Sequence, residues 1–319
     1  MNAIAAALTA GSNHTARYGK LVSLSKQSEW QIDRDLIRDR TFDFSRKFLP
    51  DALSRVDRLD FLAADEARLL SQIQGRTYAY VFGLVERFIS AKMLDQGRAH
   101  AFDDQLALEA LVRFSAEEIK HQELFRRMET MIGAQLPTGY RQTADPNDVA
   151  RAVLAASTWS VLALTCHIEL FVQAHYAQSI GPRDELCPLF KDVFKYHWKD
   201  ESRHVVLDEL EWRDEDARLS PPDRDRAVND LIALVAAVNG ILQAQAQADA
   251  EYFIRNVPRR FSADETTRIG TTVLSAYRWQ YIISGVQHPH FHRLLTSMTT
   301  SSQLLRIQAA LAPIIAADR

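Results

Sequence analysis

The chain has 319 residues, about two average domains by length, yet only 11 Gly and 10 Pro, too few for turn-dense β folds or collagen-like repeats. Hydrophobic residues make up 47% and charged residues 25%, which excludes a disordered chain and leaves material for a sizeable core. A net charge of −3 and an isoelectric point near 6.4 leave no electrostatic footprint for nucleic acid.

Residues 1–30 are Ala-rich and then polar, with no clear period, and read as a flexible N-terminal tail ahead of one unit over 31–319. Their start lacks the positive flank of an export signal. No proline occurs between Pro50 and Pro137, and two helical patterns run over 64–94 and 102–131, with Gly97 and Gly133 placed as helix ends. Asp145-Pro146 reads as an N-cap followed by a proline in the first turn, opening a third helix that runs to 178, where Gly181-Pro182 stops it. A fourth helix covers 186–217. Ser220-Pro221 starts a fifth, whose longest nearly apolar run, 231–242, is shorter than the ~20 residues of a membrane span. Ser262-Ala-Asp-Glu265 is a capping box that opens a sixth, and a last helix follows Pro289. Neither strand alternation nor a glycine-rich phosphate loop is present, so the expected fold is all-α.

Two cysteines, Cys166 and Cys187, are too few for a disulfide framework or a thiolate metal site, and they point to a reducing cytoplasm. Chemistry lies instead in two Glu-x-x-His motifs, Glu118-Ile-Lys-His121 and Glu201-Ser-Arg-His204. With 16 Glu and 10 His, chance supplies about 0.5 such matches, so one alone carries nothing. Position is more telling. Both motifs interrupt an apolar stripe: Leu111, Phe114, Glu118, His121, Phe125 on the second helix, and Phe190, Phe194, His197, Glu201, His204 on the fourth. A surface pair would sit opposite that stripe. Carboxylates at core positions with no Arg or Lys in the stripe require some other cation, because an unpaired buried charge costs several kcal/mol.

The first and third helices each carry one Glu in the matching stripe, Glu86 and Glu169. Each stands 32 residues before the Glu of the motif that follows, so the chain repeats a helical hairpin. Two such hairpins face to face bring four Glu and two His together, one Glu from each of two helices and Glu-x-x-His from the others. His197 lies within about 40° of Glu201 and His204 around the helix and can reach the same cluster. Donors of this kind suit iron or manganese, and four carboxylates neutralise two divalent ions. Glu117 and Asp200, each just before a motif Glu, are candidates to support the histidine of the opposite motif, and Asp208 is a third supporting candidate one turn beyond His204.

This pattern resembles the ferritin-like di-iron carboxylate superfamily, and the additional histidine makes it most similar to the para-aminobenzoate N-oxygenase family of di-iron arylamine oxygenases. The likeness covers 64–217 and implies a ferritin-like four-helix bundle core with additional C-terminal helices. It places metal ligands on Glu86, Glu118, His121, Glu169, His197, Glu201 and His204. It further implies two iron ions (or manganese), O2 as co-substrate, and oxidation of an amine nitrogen on an aromatic small molecule. An external electron donor and a homodimer, with neither nucleic acid nor membrane as partner, complete the expectation. The inward positions near Glu86 (Ala79, Phe82, Ile89 and Met93) hold no cation for a benzoate. Three other readings fit less well. A radical-generating reductase subunit would place Tyr where Phe125 stands. An iron-storage or ferroxidase protein would be shorter and would not use His197, and a purely structural bundle with buried ion pairs would need Arg or Lys in the stripes; a di-iron oxidase acting on C–H bonds stays as an alternative. His288-Pro-His290-Phe-His292 reads as a helix cap and not as a second metal site.

Overall fold

The computed structural model describes residues 2–317, with side chains from residue 14 onward. Every regular element among them is helical. Four helices build the core: α3 (Ala64–Ala99), α4 (Gln105–Gly133), α6 (Thr158–Ala174) and α7 (Pro188–Arg218). Here α1 is Asn2–Gln27, α2 the short turn Asp51–Ser54, and α5 Pro146–Leu154. α3 packs along α4 and α6 along α7, which are the two hairpins read from the repeat, and α4 meets α7 across the middle.

Local chemistry sets the ends of these helices. Asp104 caps α4 by accepting the amides of Leu106 and Ala107 at 3.0 and 3.1 Å. Glu66 returns its carboxylate to the Ala63 amide at the start of α3. α6 is buried at every position from Trp159 to Val172, an all-round apolar helix that only the centre of a bundle accommodates. α8 (Pro221–Asn256) lies on α6 and is followed by α9 (Ala263–Arg278), α10 (Ser284–Val286), α11 (Pro289–Met298) and α12 (Ser301–Ala316). By length and composition α8 could cross a membrane, because its apolar character extends beyond 231–242.

Four expectations are corrected. Residues 14–30 are not a flexible tail: α1 packs on α4 and α7, and Tyr18, Leu21, Val22 and Trp30 are buried. Their apolar pattern, set among Lys, Ser and Arg, is too short to stand out. The third helix is two, since the chain breaks at Ser157, whose amide donates to Asp230 on α8 at 3.0 Å. Beyond α6 the helix widens into a π-type turn over His175–Ile180. Gly97 lies inside α3, which continues to Ala99, and Gly133 is the last residue of α4. The segment after Pro289 divides at Thr299, where Thr300 and Gln303 form a capping box that was legible but unread. His288 does cap α11, accepting from the His290 amide at 3.3 Å.

Candidate metal centre

α3 contributes Glu86, α4 Glu118 and His121, α6 Glu169, and α7 His197, Glu201 and His204; all seven are buried. Their donor atoms form two overlapping groups, each with its atoms within 4.8 Å of one another: Glu86, His121, His197 and Glu201, then Glu118, Glu169, Glu201 and His204. Glu201 belongs to both. Its Oε1 lies 3.0 Å from His121 Nδ1 and 2.8 Å from His197 Nε2, while its Oε2 lies 2.6 Å from His204 Nδ1. Glu118 Oε1 also spans the seam, 2.8 Å from His204 Nδ1 and 3.8 Å from His121 Nδ1. His197 Nε2 meets Glu86 Oε1 at 3.0 Å, so one cage holds two imidazoles and the other one.

The donor set fits metal ions by its unmet bonding. Glu86 Oε2, both Glu118 oxygens, His121 Nδ1 and Glu201 Oε1 are buried, and although several of them lie 2.8–3.0 Å from a neighbouring donor or acceptor, none is oriented to make a hydrogen bond among the described residues. Such orphaned groups cost about 1–3 kcal/mol each unless something occupies them. Electrostatics agree. Burial and then the charge of Glu201 push the Glu169 carboxyl well above its ordinary range, as expected for clustered acids short of positive charge. Oxygen and imidazole donors without thiolate suit iron or manganese.

Outside the cages the two motif histidines are held alike. His121 turns Nε2 to Asp200 Oδ2 at 3.2 Å, and His204 turns Nε2 to Glu117 Oε2 at 2.8 Å, so each is steered by the acid preceding the opposite motif's Glu. Burial raises the Glu117 carboxyl, but the His204 contact and Arg203 outweigh it and hold it below the usual range. For Asp200 burial is likewise outweighed, by His121 and Lys120. Asp208 is buried, but neither of its oxygens has a hydrogen-bond partner, so the structure does not join it to these histidines.

Four supporting residues escaped the sequence reading. Lys120 and Arg203 bind Asp200 at 2.8 and 2.7 Å, and Arg203 also binds Glu117 at 2.9 Å. From the N-terminal segment, Ser25 donates to Glu117 and Trp30 to Asp200, both at 2.8 Å. A signal existed for the first two. The motifs extend to Glu117-Glu118-Ile-Lys120-His121 and Asp200-Glu201-Ser-Arg203-His204, the same acid–Glu–x–base–His repeated. Ser25 and Trp30 carry no comparable mark.

An apolar collar closes the site. The Phe82 and Phe125 rings meet His197 edge-on with centroids at 5.3 and 5.0 Å, and Phe114 stacks on His204 at 3.7 Å. Paired Glu/His cages inside four antiparallel helices define a ferritin-like carboxylate oxidoreductase built for two metal ions. The chain belongs to the p-aminobenzoate N-oxygenase AurF family, whose pattern matches residues 63–271. Among solved structures, a mutant of an R2-like ligand-binding oxidase with an anaerobically reconstituted Mn/Fe cofactor is similar at 15% sequence identity and a TM-score of 0.44, over 83% of this chain and 92% of that one. No curated protein matches the chain.

Proposed function

We propose that this protein is a di-iron oxygenase that uses O2 to oxidise the nitrogen of an arylamine, with Glu86, Glu118, His121, Glu169, His197, Glu201 and His204 as its ligands. The observation that carries the reading is the asymmetry of the cages, in which His197 adds a second imidazole to the side lined by Phe82 and Phe125. When bound, the two ions supply the site where O2 is reduced. Inserting one oxygen atom into an amine takes two electrons from the substrate, and the other two come from an external donor.

The chain's own residues do the rest. Glu117 and Asp200 accept hydrogen bonds from the Nε2–H groups of His204 and His121, which leaves each Nδ1 lone pair facing into the cage, where a metal ion would be held. His197 presents Nε2 inward, and its Nδ1 has no hydrogen-bond partner among the described residues, so packing against Phe82 and Phe125 sets the ring. The phenyl collar excludes water and strengthens every polar interaction inside. The N-terminal segment and the helices over 31–319 act as one unit in this reading, because Ser25 and Trp30 reach the same acids. The two free, buried cysteines suit a reducing compartment.

The test is product analysis. Iron-loaded protein given a reductant, O2 and a panel of arylamines should yield hydroxylamine and nitro products detected by mass spectrometry. Continued oxidation of ferrous iron far beyond the amount bound, with no product from any amine, would instead assign a ferroxidase.

A further inference from the structure

A groove of about 480 Å³ runs along the seam of α3 and α4, within the range of small-molecule sites. Its floor includes Ala79, Gly83 and Phe125. Phe125 lines this floor and its ring meets His197 at 5.0 Å, so one residue separates the groove from the imidazole that distinguishes the two cages. Gly83 lets α4 approach α3 closely: a Cβ there would come within 3.2 Å of the Phe125 Cβ.

The rim carries charge of both signs. Arg126 is paired with Glu123, and Glu129 with Arg76 at 3.0 Å. Arg87 is exposed and donates to the neutral amide of Asn147 at 2.6 Å, with no carboxylate partner among the described residues. The rim therefore holds one cation whose charge is uncompensated by a neighbour. Glu86, the residue before it, is buried on the inner side of α3. Successive side chains leave an α-helix about 100° apart, and Arg87 reaches outward to Asn147 on α5 while Glu86 faces the bundle interior. A molecule bridging Arg87 and the cluster therefore extends beyond a single benzene ring.

Resting on the proposed N-oxygenation, we propose that this groove docks the substrate, and that the substrate is an aromatic amine whose acid group is set off from the ring by a spacer, with Arg87 binding the acid. The aryl ring lies on Ala79, Gly83 and Phe125, and the amine points at the His197 side of the cluster once the Phe125 ring turns aside. The uncharged inward positions near Glu86 agree with this placement, since no cation there competes for a shorter acid.

Equilibrium dialysis of the iron-loaded protein tests it with three probes: 4-aminohippurate, its neutral glycinamide counterpart, and 4-aminobenzoate. The spaced acid should bind about tenfold more tightly than the neutral counterpart, the scale of one charge-assisted contact, and more tightly than 4-aminobenzoate. Arg87→Gln should erase the preference over the amide and raise KM about tenfold at unchanged kcat, the signature of lost binding common to ground and transition states. Asn147→Ala frees Arg87 from α5 but keeps its charge, and should bind like wild type. Equal binding of acid and amide by wild type, or a preference that survives Arg87→Gln, overturns the proposal. So does an equal loss in Asn147→Ala, which would make Arg87 a tether for α5. Oxidation of arylamines without any effect of Arg87 removes the groove and leaves the reaction standing. Arg87-dependent binding with no oxidised product does the reverse.

Discussion

Glu201 is the residue on which both cages depend, since one oxygen faces each of them. Glu201→Ala should cut iron content by more than half, whereas Glu86→Ala removes a donor from one cage only and should leave the other ion bound. Metal analysis after gel filtration distinguishes them, and wild-type iron content in Glu201→Ala would break the assignment. His197→Ala should keep most of the iron, because six donors remain, yet slow N-oxygenation at least about tenfold, the usual scale for disturbing a metal's surroundings. Wild-type rates in that variant would reduce His197 to a core histidine. The seven residues were legible because a helix repeats every 3.6 residues and a carboxylate in an apolar stripe demands a cation. Lys120 and Arg203 are marked only by the repeated acid–Glu–x–base–His, and a base beside a motif looks like solvated charge until its acid partner across the bundle is known.

At the scale of elements, what escaped the sequence is what neighbours decide. The break before α6 rests on Asp230 from α8, 73 residues away, and no local propensity reports that bond. The N-terminal segment is the clearer case. Residues 25–30 look polar and ordinary, but they supply one hydrogen bond to each acid that orients a motif histidine. Lys120 Nζ also sits 4.0 Å over the Trp30 ring, so the indole covers the Asp200 contacts from solvent. Trp30→Phe keeps an aromatic ring, though a smaller one, and loses the N–H, and a buried bond to a charged group contributes about 1.5–3 kcal/mol. Iron release to a chelator should therefore quicken about tenfold, with a smaller change for the part-buried Ser25→Ala. Deleting residues 1–30 should combine both losses and lower the melting temperature. A truncated protein with unchanged release and melting would show that the segment merely covers the bundle.

At the scale of the whole molecule, a second buried polar network stands apart from the metal centre and ties α3, α8 and α9 together. Asp249 on α8 accepts from Thr77 on α3 at 2.5 Å, from Gln245 at 2.9 Å, and from the Tyr277 hydroxyl on α9. Burial pushes its carboxyl up to about 7, although these three donors pull the other way. An acid whose pKa is raised on folding holds its proton natively at pH values where the unfolded chain, titrating near the ordinary 3.8, has released it. Its contribution is therefore fully present below pH 3.8 and declines as pH rises towards 7. The slope is about 1.4 kcal/mol per pH unit, so roughly 2–3 kcal/mol is lost between pH 5 and pH 8. Asp249→Asn is neutral throughout and nearly the same shape, so it should lack this decline. Urea unfolding of metal-loaded wild type and variant at pH 5 and pH 8 measures the difference directly, with loss of iron at low pH common to both. The variant should gain roughly 2–3 kcal/mol on wild type across that interval. Parallel pH dependences would mean that Asp249 is already ionised in the folded protein, held by its three donors against the cost of burial.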